Sequence, residues 1–306
     1  MKVALVQCPA WTVETPTYAL SLLQATLRNK GYEVFCFDFN IETYKHCKDI
    51  IDKDSVINRE SWLCDYSGNV WYDKKSVLIF IEKHVYLIDK FVDMIIKSKT
   101  SVVGFSLQST SRFFSLELAR RIKERDRNKI IVFGGFLCSR NCYGMDLLRN
   151  YSFVDHVCFA EGEEAFLSLL NFIEKREHGL ACVGFGSRQD NGTLIDGGDI
   201  LPIKDLDVIP FADFSSFRLQ DYTKRLLPIA TSRGCANRCS FCDQASHWQK
   251  YRTRSAKNVV DEIKWQLKNY LEIDSFFLND YLINGNLKML SELCDLVIRD
   301  KPKFTW

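Results

Sequence analysis

The sequence predicts an α/β protein: an open parallel sheet covered by helices, followed by the start of a second βα assembly. Three observations predict it. Short continuous apolar runs alternate with helical patterns over residues 1–180, as strands covered on both faces require. A stretch with Pro202, Pro210 and Pro228 and irregular polarity then breaks the pattern. The alternation resumes with an apolar strand that runs straight into three closely spaced cysteines. This is a Rossmann-like domain over 1–180, a hairpin and linker over 181–228, and the start of a β/α-barrel over 229–306.

Each element follows from local pattern. Residues 3–8 form a short apolar strand; a helix opens at Pro16-Thr17, runs to about Lys30 and ends at Gly31. Residues 32–39 read as the second strand, 102–107 as the third, 130–133 as the fourth, closed by Gly134-Gly135, and 157–160 as the fifth. Helices are expected over 113–125 and from Gly162-Glu-Glu to about Arg176. Residues 41–100 are too long for one crossover. They hold Trp62, Tyr66, Trp71 and Tyr72 around a turn at Ser67-Gly68-Asn69, then one helical pattern over 75–97. Aromatic residues beside a turn predict a small packed hairpin, with a substrate lid as the sharper alternative. Residues 181–198 alternate around Asp190-Asn191-Gly192, a hairpin signal. After the linker come a strand at 226–231, a helix at 255–270 capped by Ser255, a strand at 275–278, a helix at 286–299 and the start of a strand at 304–306.

With 46% apolar residues in 306, two domains can each build a core, and a net charge of +2 leaves no electrostatic footprint for nucleic acid. Lys250, Arg252 and Arg254 make a small basic run, read as a solvated face at a helix approach. No apolar run approaches the length of a membrane span, and the N-terminus lacks signal-peptide architecture. Twelve cysteines without a secretory pattern point to reduced thiols in the cytoplasm. The pair Cys138 and Cys142 falls at an expected helix start and is read as structural.

The triplet Cys235, Cys239 and Cys242 is different. It lies in Ser232-Arg-Gly-Cys-Ala-Asn-Arg-Cys-Ser-Phe-Cys-Asp243, with the aromatic Phe241 before the last thiol. Three thiolates this close must converge on a soft cation. A cubane used only for electron transfer normally takes four cysteines; three leave one iron open, as a catalytic centre needs. A zinc site needs a fourth ligand, for which His247 is the nearby candidate. Ordinary burial of small thiols is the remaining alternative.

C-x3-C-x-Φ-C, with Φ aromatic, resembles the signature of the radical S-adenosylmethionine (SAM) enzymes. The resemblance implies a 4Fe–4S cluster on the three cysteines, chelation of SAM at the open iron, and reductive cleavage of SAM to a 5′-deoxyadenosyl radical. Phe241, Asn279 and Asp280 then become SAM-side candidates, the last two because they follow a barrel strand where many relatives carry Gly-Gly-Glu. The first domain is similar to the cobalamin-binding domain that precedes many such barrels. Ser106, Gln108, Ser109 and Thr110 follow its third strand, Gly134 and Gly135 its fourth, and Glu161 and Gly162 its fifth. In that family a Ser and a Gly-Gly at these places enclose the nucleotide tail of cobalamin. The D-x-H-x-x-G loop is absent: Gln7–Pro16 has no His, which argues against a His on cobalt. Gln108 stands where Leu is usual. The implied reaction is methylation of an unactivated carbon of a small-molecule or peptide substrate, with an electron donor such as flavodoxin or ferredoxin. A radical SAM enzyme without cobalamin and a non-catalytic zinc module remain the alternatives. An eight-unit barrel takes about 250 residues, so residues 229–306 hold roughly two to three units against the six usual in the family. A C-terminally shortened form, or a last strand covered by something else, is therefore expected.

Overall fold

The computed structural model describes residues 1–48, 57–62, 69–140, 142–175, 181–237, 239–242 and 247–306. Strands β1 (Lys2–Gln7), β2 (Glu33–Asp38), β3 (Val102–Ser106), β4 (Ile130–Gly134) and β5 (His156–Cys158) pair in parallel in the order β2-β1-β3-β4-β5. The order reverses at β1/β3, the place where doubly wound sheets bind ligands beyond their carboxyl ends. The hairpin expected near Gly192 is present. Its strands β6 (Phe185–Arg188) and β7 (Leu194–Asp196) extend this same sheet, β6 antiparallel to β5 and β7 antiparallel to β6.

Alternate strand residues point to opposite faces, and the two faces build separate cores. Val3, Leu5, Val102 and Val132 pack with α1 (Tyr18–Arg28) and α7 (Gly162–Lys175). Ala4, Val6, Val103, Phe105, Ile131 and Phe133 pack on the other face. That face is covered by α2 (Phe39–Lys48), α3 (Lys74–Lys83), α4 (Val85–Lys97), α5 (Arg112–Arg125) and α6 (Gly144–Asn150). Burying a side chain such as Phe133 contributes about 1.5–3 kcal/mol.

The segment at 75–97 is two helices, not one. The break falls at His84, with φ −117° and ψ 39°. The apolar spacing Val77, Phe80, Ile81, Leu87, Ile88, Phe91 runs through it without a change of phase, so periodicity conceals it. Of the aromatic turn expected before it, Tyr66, Ser67 and Gly68 lie outside the described residues. Trp71 is fully buried, against Trp62 and Phe80, and Asn69 caps the turn that carries it.

The linker is bonded on both edges. Arg28 pairs with Asp213 at 2.7 Å, and the Asp213 N–H donates to Ser21 at 3.1 Å. On the other side Glu262 accepts from the Ala212 N–H at 2.9 Å, and the Tyr270 hydroxyl accepts from the Phe214 N–H at 2.8 Å. Glu262 belongs to α8 (Ala256–Asn269), whose expected cap Ser255 accepts from the Asn258 N–H at 3.1 Å. The second part starts with β8 (Leu226–Ile229), parallel to β11 (Ser275–Leu278). The helix α9 (Leu287–Asp300) leads back to a third position, where the Phe276 N–H donates to Thr305 at 2.8 Å. Its core is continuous with the α1/α7 face: Phe214, Leu227, Ile229, Val259, Ile263 and Phe276 join Leu20 and Phe166.

Candidate cluster and cofactor site

β8 delivers the chain to Thr231, and there β11 takes hold of it. The Asp280 carboxylate accepts from the Thr231 N–H at 3.1 Å, the Thr231 hydroxyl at 3.0 Å and the Ser232 hydroxyl at 2.5 Å. Asp280 thus ties the carboxyl ends of β8 and β11 together, while the neighbouring Asn279 is exposed. Two short strands follow, β9 (Ser232–Arg233) and β10 (Arg252–Thr253), antiparallel, with Arg233 opposite Arg252. They close the base of the loop 234–251, and all three cysteines lie in it. Gly234 has φ +79°, and a Cβ there would stand 2.8 Å from the Lys250 carbonyl oxygen. The two arms approach so closely that only glycine fits.

Cys235 and Cys242 are half-buried, Cys239 is exposed, and all three are free thiols. The Cys242 N–H donates to the Cys239 carbonyl at 3.1 Å, and the Asn237 N–H donates to the Cys235 sulfur at 3.4 Å. Phe241 is 88% exposed. Among the described residues no three His, Cys, Asp or Glu side chains are gathered tightly enough to hold a metal ion. His247 packs between Phe136 (centroids 5.1 Å) and Trp248 (4.9 Å). Burial lowers its pKa, and its Nδ1 has no hydrogen-bond partner among the described residues.

The basic run is solvated only at Lys250, which is exposed; its two arginines are not. Arg252 pairs with Glu161, and Arg254 pairs with Glu262 while donating to the Ala230 carbonyl at 2.9 Å. Both side chains are at most 10% exposed. The acid partners sit 91 and 8 positions away, and no local pattern announces them. Arg233 pairs with Glu161 at 2.7 Å and with Glu163, and lies 5.4 Å from the Trp248 ring. Burial opposes the charge on Glu163, but Arg233 and Arg252 outweigh it and hold the carboxyl below its usual range. Burial likewise opposes the charge on Arg233, and the glutamates overcome it, raising its pKa.

This network faces the carboxyl edge of the first sheet, where the other sequence candidates lie. Ser106 ends β3, and Ser109 is exposed beyond it. The Gln108 N–H donates to Ser111 at 3.0 Å, and the Thr110 hydroxyl donates to the Ala10 carbonyl at 2.6 Å, joining the loops after β1 and β3. Gly135 has φ +101°, and a Cβ there would lie 2.9 Å from the Leu107 carbonyl oxygen. The Leu107 N–H donates to Gly134 at 2.7 Å, so the two glycines bring the loops after β3 and β4 together. Gly162 opens α7 against Leu23, and Glu161 is committed to the two arginines. A shallow groove open to solvent runs between the parts, lined by Ala160, Glu161, Pro202, Ile203, His247 and Gln249. Sequence reasoning missed Arg233, Glu163, and the β9–β10 pair.

No family model matches the chain. It is 26% identical over 211 residues to the anaerobic magnesium-protoporphyrin IX monomethyl ester cyclase of a Synechocystis species, covering 67% of this chain and 41% of that protein. It is 32% identical over 102 residues to the cytidylyl-2-hydroxyethylphosphonate methyltransferase of Streptomyces wedmorensis, covering 29% of this chain and 19% of that protein. Among solved structures it is similar to OxsB, a cobalamin-dependent SAM radical enzyme, with aqua-cobalamin bound. The TM-score is 0.70 at 16% identity, over 99% of this chain and 38% of that one. It is also similar to the radical SAM methyltransferase TsrM from Kitasatospora setae, with cobalamin and a [4Fe–4S] cluster bound, at TM-score 0.65 and 17% identity, over 98% of this chain and 52% of that one. The chain thus spans about two fifths of the length of the first of these relatives. No helix among the described residues is long and apolar enough to cross a membrane.

Proposed function

We propose, for a chain that has the fold of the cobalamin-dependent radical SAM enzymes and carries their C-x3-C-x-Φ-C motif, that it is the cobalamin-binding domain and first barrel units of such an enzyme. The observation that carries the reading is the placement of the cysteine loop. It follows the first barrel strand and abuts the carboxyl edge of the first sheet, through Arg233 to Glu161 and His247 to Phe136.

The donor set fits a cluster: three free thiols on one loop, with a backbone N–H on the sulfur of Cys235. Cys235, Cys239 and Cys242 are the cluster ligands. The sheet edge fits a large polar cofactor. Ser106, Ser109 and Gln108 present small or polar groups there, Gly134 and Gly135 allow close backbone approach, and Gly162 keeps the start of α7 slim. When bound, the cluster supplies the electron that cleaves SAM, and cobalamin carries a methyl group for transfer to an unactivated carbon. The chain's own groups hold and orient. Asp280 fixes the entry of the cysteine loop through four donated hydrogen bonds. Asn279, beside it and exposed, is the polar group on hand for the SAM amino end, and Phe241 the aromatic surface. The substrate is a small molecule or peptide, and an external flavodoxin- or ferredoxin-type donor supplies electrons.

The test is anaerobic purification with cobalamin supplied, cluster reconstitution, and simultaneous assay of iron, sulfide, zinc and cobalt. Near-stoichiometric cluster iron with bound cobalt is expected. Iron without cobalt removes the cobalamin part of the reading, and zinc without iron removes all of it.

A further inference from the structure

We infer that Glu161 and Glu163 are positioning residues for the cysteine loop, acting through Arg233 and Arg252. The inference rests on reading that loop as the cluster site.

The argument starts from the base of the loop. β9 and β10 have only two residues each, and the pair places Arg233 directly across from Arg252. Like charges directly opposite each other in an antiparallel pair are destabilising, and here both are removed from water, at 11% and 10% exposure. A two-residue ladder with that repulsion does not close a loop of this length by itself. Asp280 and the Arg254 N–H bond to the Thr231 carbonyl at 2.9 Å fix its outer end, and the charges are met from across the gap, beyond β5. Glu161 sits between the two guanidiniums, accepting from Arg233 at 2.7 Å and also from Arg252, and Glu163 takes the second arm of Arg233. The order of charges is Glu163, Arg233, Glu161, Arg252, alternating in sign.

The glutamates are held ready for this. They flank the start of α7, where the helix dipole favours negative charge. Glu163 is among the buried charged residues, and α7 packs its Ala165, Phe166 and Leu169 into the core. Neither carboxylate can follow the arginines outward; the arginines must come to them. Arg252 is pinned further by donating to the Ile203 carbonyl at 2.5 Å. The first Cys follows Arg233 by two positions, so the register of the arginine sets where the cysteine loop begins. The same two glutamates follow β5, at the edge assigned to cobalamin. One acidic pair therefore couples the geometry of the cysteine loop to the cofactor edge of the first sheet.

The experiment uses the full chain with Glu161→Gln, Glu163→Gln and the double variant E161Q/R252Q. The first readout is hydrogen exchange of the apoprotein at residues 232–233 and 252–254. The second is iron retention under a chelator and the EPR spectrum of the reduced, reconstituted cluster. Loss of one partner of a buried pair is expected to speed local opening on the order of a hundredfold, with exchange in β3 and β4 unchanged, faster iron loss and a shifted EPR signal. Removing Arg252 from E161Q relieves the repulsion and restores part of the protection. Wild-type exchange and iron retention in both single variants overturn the inference, as does acceleration spread evenly over the chain. Wild-type protein that takes up no iron sinks the cluster reading alone, and the exchange pattern still decides whether the glutamates hold the loop.

Discussion

Phe133 and Arg233 are both buried, and opposite physics holds them. Phe133 sits in the central strand β4, stacked at 5.1 Å on Phe105 and enclosed by apolar neighbours that are close in pattern if not in sequence. Arg233 sits in a two-residue strand, and its buried charge is met by Glu161 and Glu163, which reach it from the end of β5 and the start of α7. Apolar packing tolerates many partners; a buried charge requires a specific one. The sheet is therefore a robust platform. The cysteine loop is a contingent structure, assembled where it meets the end of β5 and the start of α7.

The comparison is broken most sharply at Cys239. It is exposed, so Cys239→Ala is expected to change stability by no more than about 0.5 kcal/mol, yet reduce cluster iron to background. Unchanged iron in that variant removes the cysteine loop from the chemistry. In the sheet the effects reverse. Phe133→Ala is expected to cost about 3–5 kcal/mol in denaturant unfolding, with iron per folded chain unaltered. A cost below about 1 kcal/mol would mean that β4 is not the tightly packed centre described.

Two glycines separate the regions at smaller magnitude. Gly135→Ala forces a side chain into a conformation near φ +101° and against the Leu107 backbone. It is expected to cost about 1–3 kcal/mol globally. Gly234→Ala meets the Lys250 carbonyl in a loop that contributes little to the core. It should accelerate exchange at 232–253 while the unfolding midpoint stays near wild type. Equal global losses in both would erase the distinction between platform and loop.

The last comparison concerns pH. Burial pushes Asp38, at the end of β2, up to about 6, despite hydrogen bonds from Tyr222 at 2.7 Å and the Ile41 N–H at 3.0 Å. The folded state then binds the proton more tightly than the unfolded chain, so this group's contribution to stability falls as pH rises from about 4 to about 6. Burial lowers His156 in β5 to about 4, and its contribution rises over about pH 4 to 6.5. The two slopes oppose each other. Asp38→Asn should unmask a rise of stability with pH, and His156→Gln a fall, both read from urea midpoints. A D38N profile parallel to wild type would show that Asp38 titrates normally.

The sheet was legible because strands buried on both faces leave continuous apolar runs, and Gly31, Gly134-Gly135 and Ser255 punctuate them. The cysteine loop stood out in the sequence by its tight spacing and by Phe241 before the last thiol. What was not legible has physical causes. The break at His84 does not interrupt the apolar phase. The basic run reads as solvated because local sequence cannot show a carboxylate 91 positions earlier. Asp280, a candidate for a cofactor, carries four donated hydrogen bonds from Thr231 and Ser232, and only the pairing of β8 with β11 brings those residues together.

The strip Ala212–Phe214 has a practical consequence. Its backbone is bonded on one side to Ser21 and Gln24 of α1, and on the other to Glu262, Gln266 and Tyr270 at α8. It acts as a splint shared by two bones. An expression fragment that ends before it strips α1 of its cover, and one that begins after it leaves Glu262 and Gln266 facing water from a surface shaped for backbone. The two halves of this molecule are to be studied joined, or with the splint duplicated on both.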